Sequence, residues 1–80
     1  MIEGDIRQVL REHGRLPIGI DTVSTDADLY KVGLTSHASV NVMLALEDAF
    51  DIEFPERMLR KSTFGSIAAI QDAIKELLAA

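Results

Sequence analysis

The sequence predicts an all-α protein, a small four-helix bundle with three main helices, one short helix and a long first loop. Three segments place apolar residues three or four positions apart, which is the spacing of an amphipathic helix. No segment alternates apolar and polar residues as a strand does, and no repeat or interdomain linker is present. Eighty residues allow one core, so we expect a single domain over residues 1–80.

The first helix is predicted over residues 2–13 and is followed by a long loop. The apolar stripe of this helix consists of Ile2, Ile6, Val9 and Leu10. Between residues 15 and 35 the periodicity is lost, because Pro, Gly, Ser, Thr and Asp interrupt single apolar positions. Such a long connection in a compact domain needs anchors on the core. We expect those anchors to be Leu16, Ile18, Ile20, Leu29 and Tyr30.

The second main helix is predicted over residues 36–51, where the periodicity is strongest. One face of this helix carries Val42, Met43, Leu46 and Phe50. Pro55 suits the first turn of a short third helix over about residues 56–61, since proline is tolerated where the N–H would be unpaired.

The last helix is predicted over residues 64–78, with Ser62 or Thr63 as its cap. Its apolar face consists of Ile67, Ile70, Ile74, Leu77 and Leu78.

Composition excludes several classes of function. The chain has no cysteine, which excludes disulfides, thiolate metal sites and a thiol nucleophile of its own. His13 and His37 do not form a zinc-ligand pattern, so we expect no metal. The sequence shows neither a signal peptide nor an apolar run of membrane-spanning length, which favours a cytoplasmic location.

The acidic residues are concentrated in the middle of the chain. The net charge is −5, but residues 21–56 hold eight acidic residues against Lys31 alone. Such a surface repels nucleic acid and anionic membranes and favours basic protein partners, unless it is only a solvated face. The short basic group Arg57, Arg60 and Lys61 lacks interleaved aromatic residues, so it does not indicate nucleic-acid binding.

Two hydroxyl side chains stand at the start of the second helix. If Thr35 is the N-cap, Ser36 lies in the first turn and points to solvent. The unpaired N–H groups there favour a phosphate ester on Ser36, whereas the alternative is that Ser36 is only a second cap. His37 cannot activate Ser36, because adjacent helical side chains point about 100° apart.

A candidate docking strip follows Ser36 along the same side of this helix. Val40 and Leu44 lie one and two turns further on, at the edge of the core face. Glu47, Asp48 and Asp51 continue the strip, which would suit a partner with an apolar patch and basic neighbours. The alternative is that the long loop covers Val40 and Leu44.

Residues 33–55, "GLTSHASVNVMLALEDAFDIEFP", followed by "TFGSIAAIQDAI", resemble the acyl carrier protein family. The resemblance implies an acyl-carrier-like bundle in which Ser36 carries 4'-phosphopantetheine through a phosphodiester. It also implies that partner enzymes bind the strip Val40, Leu44, Glu47, Asp48 and Asp51.

The attachment triplet departs from the family pattern. Thr35-Ser36-His37 stands where Asp-Ser-Leu is usual, and Ala38 and Asn41 replace common acidic residues. The stretch looks more like the stand-alone aminoacyl carrier proteins, which are loaded by ligases resembling a truncated class II aminoacyl-tRNA synthetase.

The sequence therefore favours a carrier protein rather than an enzyme, with no catalytic residues of its own. The resemblance implies that 4'-phosphopantetheine forms an arm on Ser36. The thiol at the end of this arm would carry a small amino acid, glycine or alanine-like, after ATP-dependent loading. The implied partners of this monomer are a phosphopantetheinyl transferase, the ligase and a downstream acceptor enzyme. The alternatives are a conventional acyl carrier for fatty acid or polyketide chains and an unmodified helical protein-interaction domain.

Overall fold

Three α-helices pack around one core in the computed structural model, which describes residues 2–79. They are α1 (Ile2–His13), α2 (Ser36–Phe50) and α3 (Ile67–Ala79), and α1 contacts both of the others. No strand occurs between residues 2 and 79. The all-α prediction is confirmed, and α1 has its predicted bounds.

The core is built from the predicted apolar faces. Its largest fully buried side chains are Ile6, Leu10, Leu29, Leu46, Ile67, Ile70, Ile74 and Val42. The prediction for Leu78 is wrong, because this residue lies in the last turn of α3 and half of its surface is exposed. In the described part of the chain, no helix is long and apolar enough to cross a membrane.

The loop between α1 and α2 is tied to the bundle by backbone carbonyls. The Arg7 guanidinium donates to the carbonyl oxygens of Ile20 and Val23, at 2.8 and 2.9 Å. The amide of Leu29 donates to the carbonyl of Gly65 at 2.8 Å, which joins the loop to the segment before α3. These bonds satisfy polar groups that a buried loop would otherwise leave unpaired.

Most of the predicted loop anchors are confirmed. Ile20 and Leu29 are buried, and Leu16 and Tyr30 pack against the core. The prediction for Ile18 is wrong. A 3₁₀ turn at Ile20–Thr22 places Ile20 in the core, and Ile18 is half-exposed. Val23 and Leu34 are further buried anchors that the sequence pattern did not single out.

The predicted short third helix is wrong, because the segment forms two 3₁₀ turns instead. These turns are Glu56–Met58 and Lys61–Phe64, with Arg60 extended between them. Both turns bury an apolar residue, Met58 and Phe64 respectively. A straight α-helix would point these two side chains about 120° apart. Both can be buried because the helical segment is interrupted at Arg60.

The cap of α3 also differs from the prediction. The Ser66 hydroxyl accepts a hydrogen bond from the Ala69 amide at 3.0 Å, and the helix begins at Ile67. Ser62 and Thr63 are not the cap, since both lie in the preceding 3₁₀ turn.

Candidate functional site

The start of α2 separates the roles of its two hydroxyl residues. Thr35 is extended, and its Oγ1 accepts a hydrogen bond from the Ala38 amide at 3.0 Å. Ser36 is the first helical residue and is exposed, and no group between residues 2 and 79 hydrogen-bonds its hydroxyl. The prediction that Thr35 caps the helix is confirmed, and the Ser36 hydroxyl is left free for chemistry.

The chain before Ser36 is held in place by sterics and burial. Gly33 has φ +122°, and a Cβ built there would lie 2.5 Å from Cδ of Pro17. Only glycine fits this close approach at this backbone conformation. Leu34 follows it into the core, and its amide donates to the carbonyl of Leu29 at 2.9 Å. The position of Ser36 is therefore set by the residues that precede it.

A groove opens beside Ser36, between α2 and the two 3₁₀ turns. Its volume is about 410 Å³. It is lined by the apolar or aromatic residues Tyr30, Val40, Met43, Leu59 and Phe64 and by the polar residues Ser36, Ser39, Arg60 and Lys61. Leu59, Arg60 and Lys61 were not predicted as site residues, because folding brings them to the groove beside Ser36 from a segment more than twenty positions further along the chain.

The charges around the groove are positive. Arg60 and Lys61 line it, and no acidic side chain among the described residues does so. Lys61 Nζ lies 4.7 Å from the centre of the Tyr30 ring, a cation–π contact that holds the ammonium group over the groove. The first turn of α2 contains no acidic residue and presents the positive end of the helix dipole. An anion attached to Ser36 fits these surroundings.

The apolar part of the docking strip is exposed. Val40 and Leu44 are 51% and 53% exposed, so the alternative that the loop covers them is wrong. Leu59, which is 51% exposed, lines the groove together with Val40. Leu44 also borders a second, more polar hollow of about 350 Å³ that includes Arg15 and Asn41.

The acidic part of the strip contains one carboxylate that is already occupied. The Glu47 carboxylate accepts a hydrogen bond from the Phe54 amide at 2.8 Å. Asp51 ends α2 in the left-handed conformation with φ 52°, and its amide donates to the Glu47 carbonyl. Asp48 is exposed, with no side-chain partner between residues 2 and 79. Glu47 therefore has a structural role that the strip pattern did not reveal.

The described residues contain no group of three or more His, Cys, Asp or Glu that could hold a metal ion.

Residues 6–70 match the family model described as "Phosphopantetheine attachment site". The chain belongs to this family. Phosphopantetheine is therefore the cofactor of this carrier protein, as the sequence resemblance implied, and an exposed serine beside a cation-lined groove fits it.

Comparison with individual proteins shows which members of this family the chain is similar to. The chain is 51% identical over 73 residues to the aminoacyl carrier protein of Agrobacterium fabrum, covering 91% of this chain and 88% of that one. A carrier protein from Agrobacterium tumefaciens was solved in complex with ATP and an engineered Bradyrhizobium japonicum glycine:[carrier protein] ligase. It matches with a TM-score of 0.94 and 47% identity, covering 96% of this chain and all of that one.

A more distant match comes from a complex of the B. japonicum glycine:[carrier protein] ligase with a glycylated carrier protein. Its TM-score is 0.77 at 28% identity, over 90% of this chain and 96% of that one. These matches confirm the predicted acyl-carrier-like bundle and the resemblance to aminoacyl carrier proteins. The carrier is thus a homologue of an aminoacyl carrier protein.

Proposed function

We propose that Ser36 carries 4'-phosphopantetheine and that the thiol of this arm carries a small amino acid, glycine or alanine-like, as a thioester. The observation that carries the proposal is the free, exposed Ser36 hydroxyl beside a capped helix start. Thr35 already satisfies the Ala38 amide, so a bond to the Ser36 oxygen costs the helix no hydrogen bond.

The chain's own residues hold the arm and do not perform the chemistry. When attached, the arm supplies the thiol that this cysteine-free chain lacks. Ser36 provides the ester oxygen, and Arg60 and Lys61 favour the negative charge of the phosphodiester from within the groove. Activation of the amino acid takes place in a partner enzyme, which makes this protein a carrier rather than a catalyst.

The cargo and the partners are supported by the relatives. An aminoacyl carrier protein is 51% identical, and the matched carrier proteins were solved with glycine:[carrier protein] ligases. We infer an ATP-dependent ligase resembling a class II synthetase, a phosphopantetheinyl transferase and a downstream acceptor enzyme as partners. Residues 1–80 act as a single monomeric carrier domain in the cytoplasm.

The partner surface is proposed to run along α2 from Ser36. Val40 and Leu44 supply exposed apolar contacts, and Asp48 and Asp51 attract basic residues. Glu47 supports this surface from within by holding the Phe54 amide. Leu59 extends it across the groove.

A loading assay tests the cargo. The holo protein is incubated with ATP, glycine and a glycine:[carrier protein] ligase, and the intact mass is measured before and after hydroxylamine, which cleaves thioesters. We expect one glycyl group that hydroxylamine removes, and none on Ser36→Ala treated in the same way. If glycine and alanine are both refused while a fatty-acyl ligase loads octanoate, the conventional acyl carrier alternative is correct.

A further inference from the structure

The floor of the groove beside Ser36 is closed by a pair of aromatic rings. Phe64 lines the groove but is only 5% exposed, so most of its ring lies in the core. It packs edge-on against Phe54, with ring centroids 5.3 Å apart and planes at 72°. The Phe54 amide is bound in turn by the Glu47 carboxylate of α2. The floor is thus fixed to the helix that forms the opposite wall.

Met43 closes the groove from the α2 side. Its side chain is partly buried, lines the groove and packs against the same core as Phe64. In that core, Leu46, Ile70 and Ile74 are fully buried. Protein interiors are close-packed, and adding methylene groups to such a core forces its side chains to move.

We propose that Phe64 and Met43 determine cargo length, because together they bar a long alkyl chain on the Ser36 arm from entering the helix bundle. This inference rests on attachment of the arm at Ser36. The arm begins at the rim of the groove, beside Arg60 and Lys61, so its own apolar part is the group placed to occupy the groove. A chain that extends beyond the groove has to displace Phe64 or Met43, or remain in water.

A small aminoacyl cargo needs no such space. A glycyl thioester ends in an ammonium group, which is costly to bury without a partner. Such a cargo loses nothing by staying at the mouth of the groove, whereas an octanoyl chain loses the burial that a carrier of long chains would provide. The closed floor therefore favours short, charged cargo over long, apolar cargo.

The test compares holo, glycyl and octanoyl forms, prepared with a phosphopantetheinyl transferase and the corresponding coenzyme A derivative. Intact mass first verifies the attachment, so that failure of the Ser36 proposal is recognised separately. Amide chemical shifts and the melting temperature are then measured. In the wild type we expect octanoyl to change α3 amide shifts no more than glycyl does, and to leave the melting temperature at the holo value.

Two variants should open the floor of the groove, and a third variant serves as the control. In Phe64→Ala, octanoyl should shift the amides of Ile70 and Ile74 and raise the melting temperature above that of the same variant's holo form. Met43→Ala should do the same and decides the question if Phe64→Ala does not fold. Leu59→Ala, at the exposed wall of the groove, should behave like the wild type.

Two results would overturn the inference. One is that octanoyl already shifts the buried α3 amides and stabilises the wild type, which would mean that the floor opens for a long chain. The other is that a folded Met43→Ala responds to octanoyl no differently from Leu59→Ala, which would mean that these side chains do not limit the cargo.

Discussion

Replacing Glu47 by alanine should destabilise the fold, even though its position on α2 is that of a docking residue. The change removes the carboxylate that accepts a hydrogen bond from the Phe54 amide, and the ring of Phe54 is buried against Phe64. A hydrogen bond to a charged group contributes about 1.5 to 3 kcal/mol. Because this bond is only partly buried, we take the lower end, about 1.5 to 2 kcal/mol.

Part of this loss is offset, because alanine raises helix propensity by a few tenths of a kcal/mol. The net loss of about 1 to 1.5 kcal/mol corresponds to a fall in melting temperature of about 4 to 12 °C for a domain of this size. Circular dichroism during heating measures it. Glu47→Gln keeps a side-chain oxygen acceptor and should recover much of the loss.

Asp48→Ala is the matched control, since Asp48 is the next residue on α2 and is exposed. It should melt at or slightly above the wild-type temperature, because it removes a negative charge near the C-terminal end of a helix. It should also slow loading by the ligase. Equal melting temperatures for the two alanine variants would refute the reasoning, and Glu47 would then be an ordinary surface carboxylate.

Three further changes probe the surroundings of Ser36. Thr35→Ala removes the cap and should cost about 1 kcal/mol, measured by urea unfolding, while the variant still gains the arm by intact mass. Leu44→Glu should slow loading about tenfold or more in a ligase assay with little change in melting temperature, because half of Leu44 is exposed; equal losses of both would make Leu44 a core residue. Gly33→Ala should lower the melting temperature by about 4 °C or more, since φ +122° and the contact with Pro17 both oppose a Cβ; an unchanged value would contradict the role of Gly33.

Local patterns in the sequence were sufficient to predict much of the fold. The bounds of α1, the start of α2 and the cap at Thr35 follow from helical periodicity and capping chemistry, which act over three or four residues. The exposure of Val40 and Leu44 follows from the same helical geometry. The site is therefore predictable where it depends on α2 alone.

The remaining features depend on contacts between distant segments. The two 3₁₀ turns form because Met58 and Phe64 both reach the core, a requirement that no local pattern records. Folding places Lys61 and Ser36 in one groove, and the bond from Phe54 to Glu47 spans seven positions, which is beyond the three or four positions over which helical patterns act. Ser66 rather than Ser62 caps α3 because the 3₁₀ turn delays the start of that helix.

The central claim is that the Ser36 oxygen holds the arm, and the mass of the protein tests it most directly. Wild type, Ser36→Ala and Ser39→Ala are each incubated with coenzyme A and a phosphopantetheinyl transferase. Ser39 is the matched control because it lines the same groove, but its hydroxyl donates to the Ser36 carbonyl. We expect one phosphopantetheine on the wild type and on Ser39→Ala and none on Ser36→Ala. A wild type that gains no mass, or a Ser36→Ala protein that gains the arm, would contradict the claim.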